Sequence, residues 1–380
     1  MVESQVITEK SRLTVVAFVL YTYKTGSTMH NCFTVAGKEY TPEDPLLIAE
    51  LGTGHASDPV KAAELIDAAA ESGAGCIKVQ IVYADEILHP NTGIVALPGG
   101  NIRLYDQFKR LEVDPDFFVA MKERTESKGM LFLATPFGLK SARELYALNP
   151  CAVKIASPEL NYTALLKEIA SYKKPVFLSS GVSKLGDIES ALELLEPVPV
   201  CLFHCVTAYP APETEYNLRI LHNLSGIFGI PTGVSDHSAD PCRVPCLAVK
   251  MGAVAVEKHF CLSRQDPGLD DKIALPPDEF AQMVRTIHDN NRTDLDPAIL
   301  GDGVKGLAPS EKANYTRTNR SIHAVRDLNP GEIITPEAIA ILRTEKILRP
   351  GLPPAWESAV IGRTVRSFIP AGEGIRFEDI

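Results

Sequence analysis

The sequence lacks any apolar run long enough to cross a bilayer. The stretch Leu13–Tyr21 spans nine residues, whereas a membrane-spanning helix needs about 20. The residues before it are mixed in charge and no small-residue cleavage site stands out, so it reads as a β-strand rather than a membrane anchor or a leader. Basic residues are also short. Lys and Arg number 38 against 48 Asp and Glu, a net charge of −10. That excludes the broad basic face needed to bind nucleic acid or an anionic membrane, but leaves room for a small anion held by a few converging cations. Cysteine is too sparse and too scattered for a disulfide framework in a chain this large. The spacing Cys242-x3-Cys246 does not suit a metal and no second pair matches it. Cys76, Cys201, Cys205 and Cys261 lie in or beside apolar runs, so buried free thiols and a reducing cytoplasm are expected. No glycine-rich dinucleotide loop follows the first strand-like run, which argues against a doubly wound nucleotide-binding sheet.

What is present points to an α/β fold. Hydrophobic residues make up 45% and charged residues 23% of 380, enough for a sizeable core. That length suits a barrel of about 250 residues plus a small module. Eight short runs, rich in Val, Ile, Leu and Phe, recur along the middle of the chain. They are Leu46–Gly52, Cys76–Gln80, Met130–Pro136, Ala152–Ser157, Pro175–Gly181, Val200–Val206, Thr232–His237 and Ala253–Phe260. Continuous apolar runs suit strands covered on both faces of a parallel sheet. Helical stretches such as Pro59–Ser72, Asp114–Lys128 and Lys184–Leu195 separate them. The pattern predicts a (β/α)8 TIM barrel.

Past about residue 283 the texture changes. Asp289–Lys312 is polar and reads as part of a linker over 284–318. The last 60 or so residues carry a weak repeat, Leu328-Asn-Pro-Gly-Glu-Ile-Ile-Thr-Pro-Glu-Ala-Ile339 against Ile369-Pro-Ala-Gly-Glu-Gly-Ile-Arg-Phe-Glu-Asp-Ile380. It predicts a pseudo-twofold β-rich module over 319–380, too small to be stable alone and therefore packed on something. Residues 29–283 form the predicted barrel domain with an N-terminal hairpin, and 1–28 an extension expected to pack poorly.

Active sites of such barrels form at the C-terminal strand ends. These ends carry, in order, Glu50 and His55; Lys78 and Gln80; Thr135; Lys154, Ser157 and Glu159; Ser179, Ser180 and Gly181; His204, Thr207 and Tyr209; Ser235, Asp236 and His237; Glu257, Lys258 and His259. Buried runs ending in Lys, Glu and His are costly unless those groups serve one another or a ligand. Two lysines with several hydroxyls suit a phosphate or carboxylate. His237 and His259, on neighbouring strands, could share a divalent metal. Each has a bland alternative. Lys78 or Lys154 could be a structural lysine paired with a Glu, His204 is more at home as a satisfied core histidine, and Asp236 as a structural carboxylate.

The ordered series Ile48-Ala-Glu-Leu-Gly, Gly54-His55, Lys78-Val-Gln80, Ala134-Thr-Pro-Phe137, Lys154-Ile-Ala-Ser-Pro-Glu159, Leu178-Ser-Ser-Gly181, His204-Cys, Tyr209-Pro-Ala-Pro212, Ser235-Asp-His237, Glu257-Lys-His-Phe260 and Pro267-Gly-Leu-Asp270 resembles the N-acetylneuraminate (sialic acid) synthase family. That family includes legionaminic, pseudaminic and spore-coat polysaccharide synthases, and the C-terminal module resembles its antifreeze-like (SAF) domain. The resemblance covers about residues 30–380 and suggests that the natural beginning lies near Met29. It implies metal-dependent condensation of phosphoenolpyruvate with an amino-sugar aldehyde, giving a nonulosonic acid and phosphate. It further implies His237 and His259 as metal ligands, for Mn2+ or else Mg2+ or Co2+. Lys78, Thr135, Lys154, Ser157, Ser179, Thr207 and Ser235 match phosphoenolpyruvate contacts. Glu50, Gln80, Glu159, Tyr209 and Asp270 match positions near the sugar and the reacting carbons, with Glu159 the candidate proton carrier. Arg349 matches an arginine that reaches the amino sugar of the other subunit in a domain-swapped homodimer. The sequence departs from the family at Gly54-His55-Ala56-Ser57, Asp271-Lys272-Ile273-Ala274 and Arg349-Pro-Gly-Leu-Pro-Pro, all on the sugar side, which leaves room for a sugar other than N-acetylmannosamine. The competing readings are a related aldol synthase making an eight- or seven-carbon acid, and a sugar-binding protein without catalysis.

Overall fold

The computed structural model describes residues 31–97, 100–289, 295–345 and 347–380. The predicted extension over 1–28 and the strand reading of Leu13–Tyr21 lie outside them. A short hairpin, β1 (Phe33–Val35) and β2 (Lys38–Tyr40), leads into β3 (Leu46–Gly52). Parallel strands β4 (Cys76–Ile81), β7 (Leu131–Pro136), β8 (Val153–Ile155), β9 (Val176–Ser179), β10 (Val200–Cys205), β11 (Thr232–Asp236) and β12 (Ala255–His259) follow. Between β4 and β7 lies a second hairpin, β5 (Ile94–Leu97) and β6 (Gly100–Arg103). The eight-stranded sheet runs β7-β4-β3-β12-β11-β10-β9-β8. Its end strands β7 and β8 lie against each other and nearly close the ring. All eight predicted runs are strands of this barrel, and the three helical stretches fold as Pro59–Glu71, Pro115–Ser127 and Leu185–Leu195.

Period-two alternation sorts each strand's side chains. Leu47, Ala49, Ile77 and Val79 pack outward against the surrounding helices in one large core. Leu46, Ile48, Cys76, Leu133, Phe177, Cys201, Phe203 and Ala255 fill the lower interior, with Phe33, Val35 and Tyr40 of the first hairpin packed against them. The barrel is thus apolar and closed at the bottom. Moving up the inward positions, the residues become polar, and this transition makes the site.

The segment expected to be a linker is only partly one. Residues 295–318 contain a turn of helix at Pro297–Leu300 and a 3-10 turn at Pro309–Glu311, and Glu311 is buried. The C-terminal module has one antiparallel pair, β13 (Arg320–Ala324) with β14 (Ile339–Arg343). The repeat noted in the sequence is structural. Leu328 and Ile369, equivalent positions in the two copies, exchange reciprocal backbone bonds of 2.9 and 3.0 Å, as a local twofold requires. Each copy ends in a 3-10 turn, at Pro336–Ala338 and Phe377–Asp379. The module packs on its own chain's barrel. The guanidinium of Arg320, fully buried, donates to the carbonyls of Phe137 and Glu86 at 2.5 Å each, while Asn161 brackets its backbone at 2.8 and 3.0 Å. No helix among the described residues is long and apolar enough to cross a membrane.

Candidate functional site

The inward positions at the C-terminal ends of the strands line a cavity of about 390 Å3. At its base sits a buried ionic cluster. Strand register puts Glu50 beside Lys78, and Glu257 beside Ser235. Glu257 Oε1 lies 3.1 Å from Lys78 Nζ and accepts from Ser235 Oγ at 2.9 Å. Its other oxygen is 3.2 Å from Lys154 Nζ, which also donates to Ser179 Oγ at 2.7 Å. Glu50 pairs with Lys78 at 3.1 Å and accepts from Gln80 Nε2 at 2.9 Å.

The protonation states follow from these distances. Burial would raise Glu257, but Lys154 and Lys78 override it and hold the carboxyl well below the usual range. Burial would likewise lower Lys78, and two carboxylates reverse it. Lys154 has only the shared Glu257, so for it burial wins and its value falls. Glu50 is pushed up to about 7, because burial and the nearby Glu257 outweigh the pull of Lys78.

Higher up are the two imidazoles, ring centroids 5.4 Å apart. The Tyr209 ring stacks on His237 at 4.3 Å. His237 Nδ1 lies 2.9 Å from the Val206 carbonyl, which commits that nitrogen as donor and leaves Nε2 as the nitrogen that could bind a metal once deprotonated. Burial lowers His237, yet the Cys205 sulfur beside it, itself drawn toward the thiolate by His237, raises it to about 9. Burial and the neighbouring His237 hold His259 well below its ordinary value, so its ring is neutral. Asp270 stands 3.8 Å from His259 and burial pushes it up to about 6. Two oriented imidazoles on adjacent strands fit a divalent metal. No cluster of three or more His, Cys, Asp or Glu forms a metal site among the described residues, so the remaining positions would fall to water or substrate, as in open catalytic sites. A metal would also have to displace the proton of His237.

Of the residues singled out in the sequence, Glu50, Lys78, Gln80, Lys154, Ser157, Ser179, Thr207, Tyr209, Ser235, His237, His259 and Asp270 line this one cavity. Thr135 ends β7 beside Gln80, its hydroxyl buried and without a partner among the described residues, but it is not on the cavity wall. One expectation needs correction. Glu159 is fully buried away from the cavity. Its Oε1 accepts from Arg320 Nε at 3.0 Å and from Arg343 Nη2 at 2.7 Å. A carboxylate oxygen held by two guanidiniums is an anchor rather than a proton carrier. Arg349 lies on the module's outer side, held to Asp379 at 2.5 Å and to the Gly374 carbonyl at 2.9 Å. Its neighbours there are Arg317 and Arg376, and it does not reach its own chain's cavity. The module's contribution to that cavity is instead Arg343 and Glu345, joined by Asn314 and Thr318. None of these four was anticipated, nor was Glu257 assigned a role.

Some of the bland alternatives offered above match the geometry. Lys78 and Lys154 do pair with carboxylates, though at a cavity floor. His204 is buried with Nε2 2.6 Å from the Tyr216 carbonyl, off this cavity. Asp236 pairs with Lys258 at 2.6 Å, both fully buried behind the site. His55 packs against Phe117 at 4.8 Å, also away from it. None of the eight cysteines is in a disulfide, and five of them are buried.

A parallel barrel with a buried ionic floor, a histidine pair above it and a small β module contributing to the cavity wall defines a barrel enzyme with a two-domain chain. The chain belongs to the NeuB family, whose model matches residues 65–296, and the SAF domain model matches 319–380. The crystal structure of spore coat polysaccharide biosynthesis protein SpsE from Bacillus subtilis is similar, with 30% identity, TM-score 0.80, and coverage of 92% of this chain and 99% of that one. N,N'-diacetyllegionaminic acid synthase from Legionella pneumophila is 31% identical over 88% of this chain and 94% of its own. N-acetylneuraminic acid synthetase from Leptospira borgpetersenii is 30% identical, with TM-score 0.64 over 75% and 95% of the two chains.

Proposed function

We propose that this chain is a synthase that condenses phosphoenolpyruvate with an N-acylated amino-sugar aldehyde, giving a nonulosonic acid and phosphate. The observation that carries this reading is the cavity floor. Lys78 and Lys154 converge there on one carboxylate, Glu257, with Ser157, Ser179, Thr207 and Ser235 around them. Two ammonium groups and four hydroxyls suit a ligand bearing both a phosphate and a carboxylate.

C3 of phosphoenolpyruvate attacks the aldehyde carbon, water adds to C2, and the resulting tetrahedral centre expels phosphate. The floor neutralises the anionic ends and holds C3 under the aldehyde. Glu50, with a value near neutrality and oriented by Gln80, is a group on this wall suited to passing a proton. His237 and His259 would hold a divalent ion, Mn2+ or a similar cation, whose chemistry is to polarise the aldehyde oxygen. The upper wall is apolar, formed by Val95, Leu104, Phe108, Phe137 and Leu269. Such a wall favours a sugar carrying acyl or deoxy positions, so N-acetylmannosamine and its diacetamido-trideoxy relatives are the first candidates.

Arg349, which does not line its own chain's cavity, is assigned to a partner's site in a homodimer. A monomer by sedimentation at working concentrations would remove that role. The test of the reaction is phosphate release from phosphoenolpyruvate with Mn2+ against a panel of amino-sugar aldehydes, with product masses. Sugar-dependent release with a nine-carbon product supports the reading. An eight- or seven-carbon product would replace it with the related aldol synthase, and binding without release with a binding protein.

A further inference from the structure

The segment that joins barrel to module reaches into the wall of the cavity. We infer that Glu311 is a positioning residue for the phosphoenolpyruvate end of the site, an inference that rests on the function proposed above. Its side chain is 1% exposed. One oxygen, Oε1, accepts the backbone N–H of Val182 at 2.8 Å and of Thr207 at 2.7 Å. The other accepts the Ala308 N–H at 3.2 Å. A single atom thereby ties the loop after β9 to the loop after β10.

The geometry between those loops has no slack. Gly181 N donates to Ser157 Oγ at 2.9 Å. A Cβ on Gly181 would sit 2.1 Å from Thr207 Oγ1 and 2.9 Å from Ser157 Oγ. The next residue, Val182, has φ of 43°, a left-handed backbone that a β-branched residue adopts only when its surroundings impose it. Glu311 grips that residue's N–H, and Asn319 Nδ2 grips its carbonyl at 3.2 Å. Lys305 Nζ adds a bond to the Ser180 carbonyl at 3.1 Å. Hydroxyls on three strand ends, Ser157, Ser179 and Thr207, are therefore set relative to one another from a segment more than 100 residues away in sequence. Charge-assisted bonds of this kind are stronger than neutral ones and short enough to fix position.

A cap that merely stabilised the fold would weaken binding of both substrates alike, or of neither. A positioning residue at the anion end should act on phosphoenolpyruvate alone. The experiment is steady-state kinetics of the full chain as Glu311→Ala, Glu311→Asp and Glu311→Gln, with protection from thermal unfolding by phosphoenolpyruvate as a second readout. Glu311→Ala should raise the KM for phosphoenolpyruvate by about tenfold or more, since displacements near 1 Å at a site carry penalties of that order or larger. The sugar KM should stay within about twofold, and thermal protection should shrink in parallel. Glu311→Gln keeps one carbonyl oxygen able to accept both N–H groups and should return to within about threefold of wild type. If Glu311→Ala does not fold, Glu311→Asp carries the test, because a side chain one methylene shorter cannot reach both loops. An unchanged KM for phosphoenolpyruvate in a folded Ala or Asp variant overturns the inference. So does a loss shared equally by both substrates, or a Gln variant as damaged as Ala. Wild type that neither turns over nor is protected by phosphoenolpyruvate overturns the functional reading, and this inference with it. Wild type that responds while the variants respond equally overturns this inference alone.

Discussion

Two buried ionic clusters among the described residues have opposite purposes. One is Lys78, Lys154, Glu50 and Glu257 at the cavity floor. The other is Arg320, Arg343 and Glu159 at the junction of barrel and module. Each buries more than one charge, and each contains residues from strand ends or from the turns just beyond them. The difference is access. The floor cluster faces a cavity and its cations converge from separate strands on one shared carboxylate. At the junction, Arg320 is fully buried and spends its donors on Glu159 and on the carbonyls of Phe137, Glu86 and Ile341. Buried charge alone therefore marks an expensive place, not a functional one. Arg343 stands between the two. It shares Glu159, stacks over Phe137 at 5.1 Å and also lines the cavity.

The comparison can be broken by removing one cation at a time. The largest expected effect is Lys154→Met. It should lower kcat/KM for phosphoenolpyruvate by about 100-fold or more, the scale of losing a preorganised charge at a developing anion. Unfolding would move less, because Lys78 still pairs Glu257. Phosphate-release kinetics beside a melting curve separate the two. Arg320→Met should show the reverse balance, losing about 3–5 kcal/mol of stability as Glu159 and three carbonyls lose their donor, read by denaturant unfolding. Lys258→Met behind the histidines should destabilise on a similar scale by stranding Asp236, and should weaken metal binding more than phosphoenolpyruvate binding, which calorimetry with each ligand would show.

A smaller effect concerns pH. Glu50 is raised to about 7 by burial. Below that value it is neutral, and the floor, with two lysines against Glu257, carries one net positive charge. Above it Glu50 ionises and the positive charge is cancelled. Phosphoenolpyruvate affinity should therefore fall as pH rises through about 7. Glu50→Gln should flatten that limb. The difference between the two profiles isolates the carboxyl from the ligand's own phosphate titration, and identical profiles would remove Glu50 from the titrating role. Smallest of all is Glu159→Gln. With the carboxylate away from the cavity, turnover should change only a few-fold while the melting temperature falls. A loss of turnover far larger than the loss of stability would restore Glu159 to the mechanism.

How much of this was legible in the sequence follows from what each part depends on. The strands could be read because each is buried on both faces and so appears as an unbroken apolar run. The module's twofold could be read because it is local repetition. Most floor residues could be read because they end those runs. Side-chain parity was a further signal that could have been used. Glu50, Lys78, Lys154, Ser179, Ser235, His237, Glu257 and His259 all fall on the inward set, whereas His204, Asp236 and Lys258 fall on the outward set. Counting in twos from the apolar floor of each strand would have promoted Glu257. No such count reaches Arg343, Glu345, Asn314, Thr318 or Glu311. Their places depend on how a polar segment and a small module dock more than 100 residues from the strands they meet, and local pattern carries no trace of that. Glu159 misled for a related reason. It closes a strand-end motif, but its partner cations come from the module.

The most direct measurement is phosphoenolpyruvate binding by calorimetry to wild type, Lys154→Met and Arg320→Met, each below its melting temperature. If the floor cluster receives the anion and the junction cluster holds the module, binding is lost in Lys154→Met and retained in Arg320→Met. Wild-type affinity in Lys154→Met, or equal loss in both variants, would contradict that division.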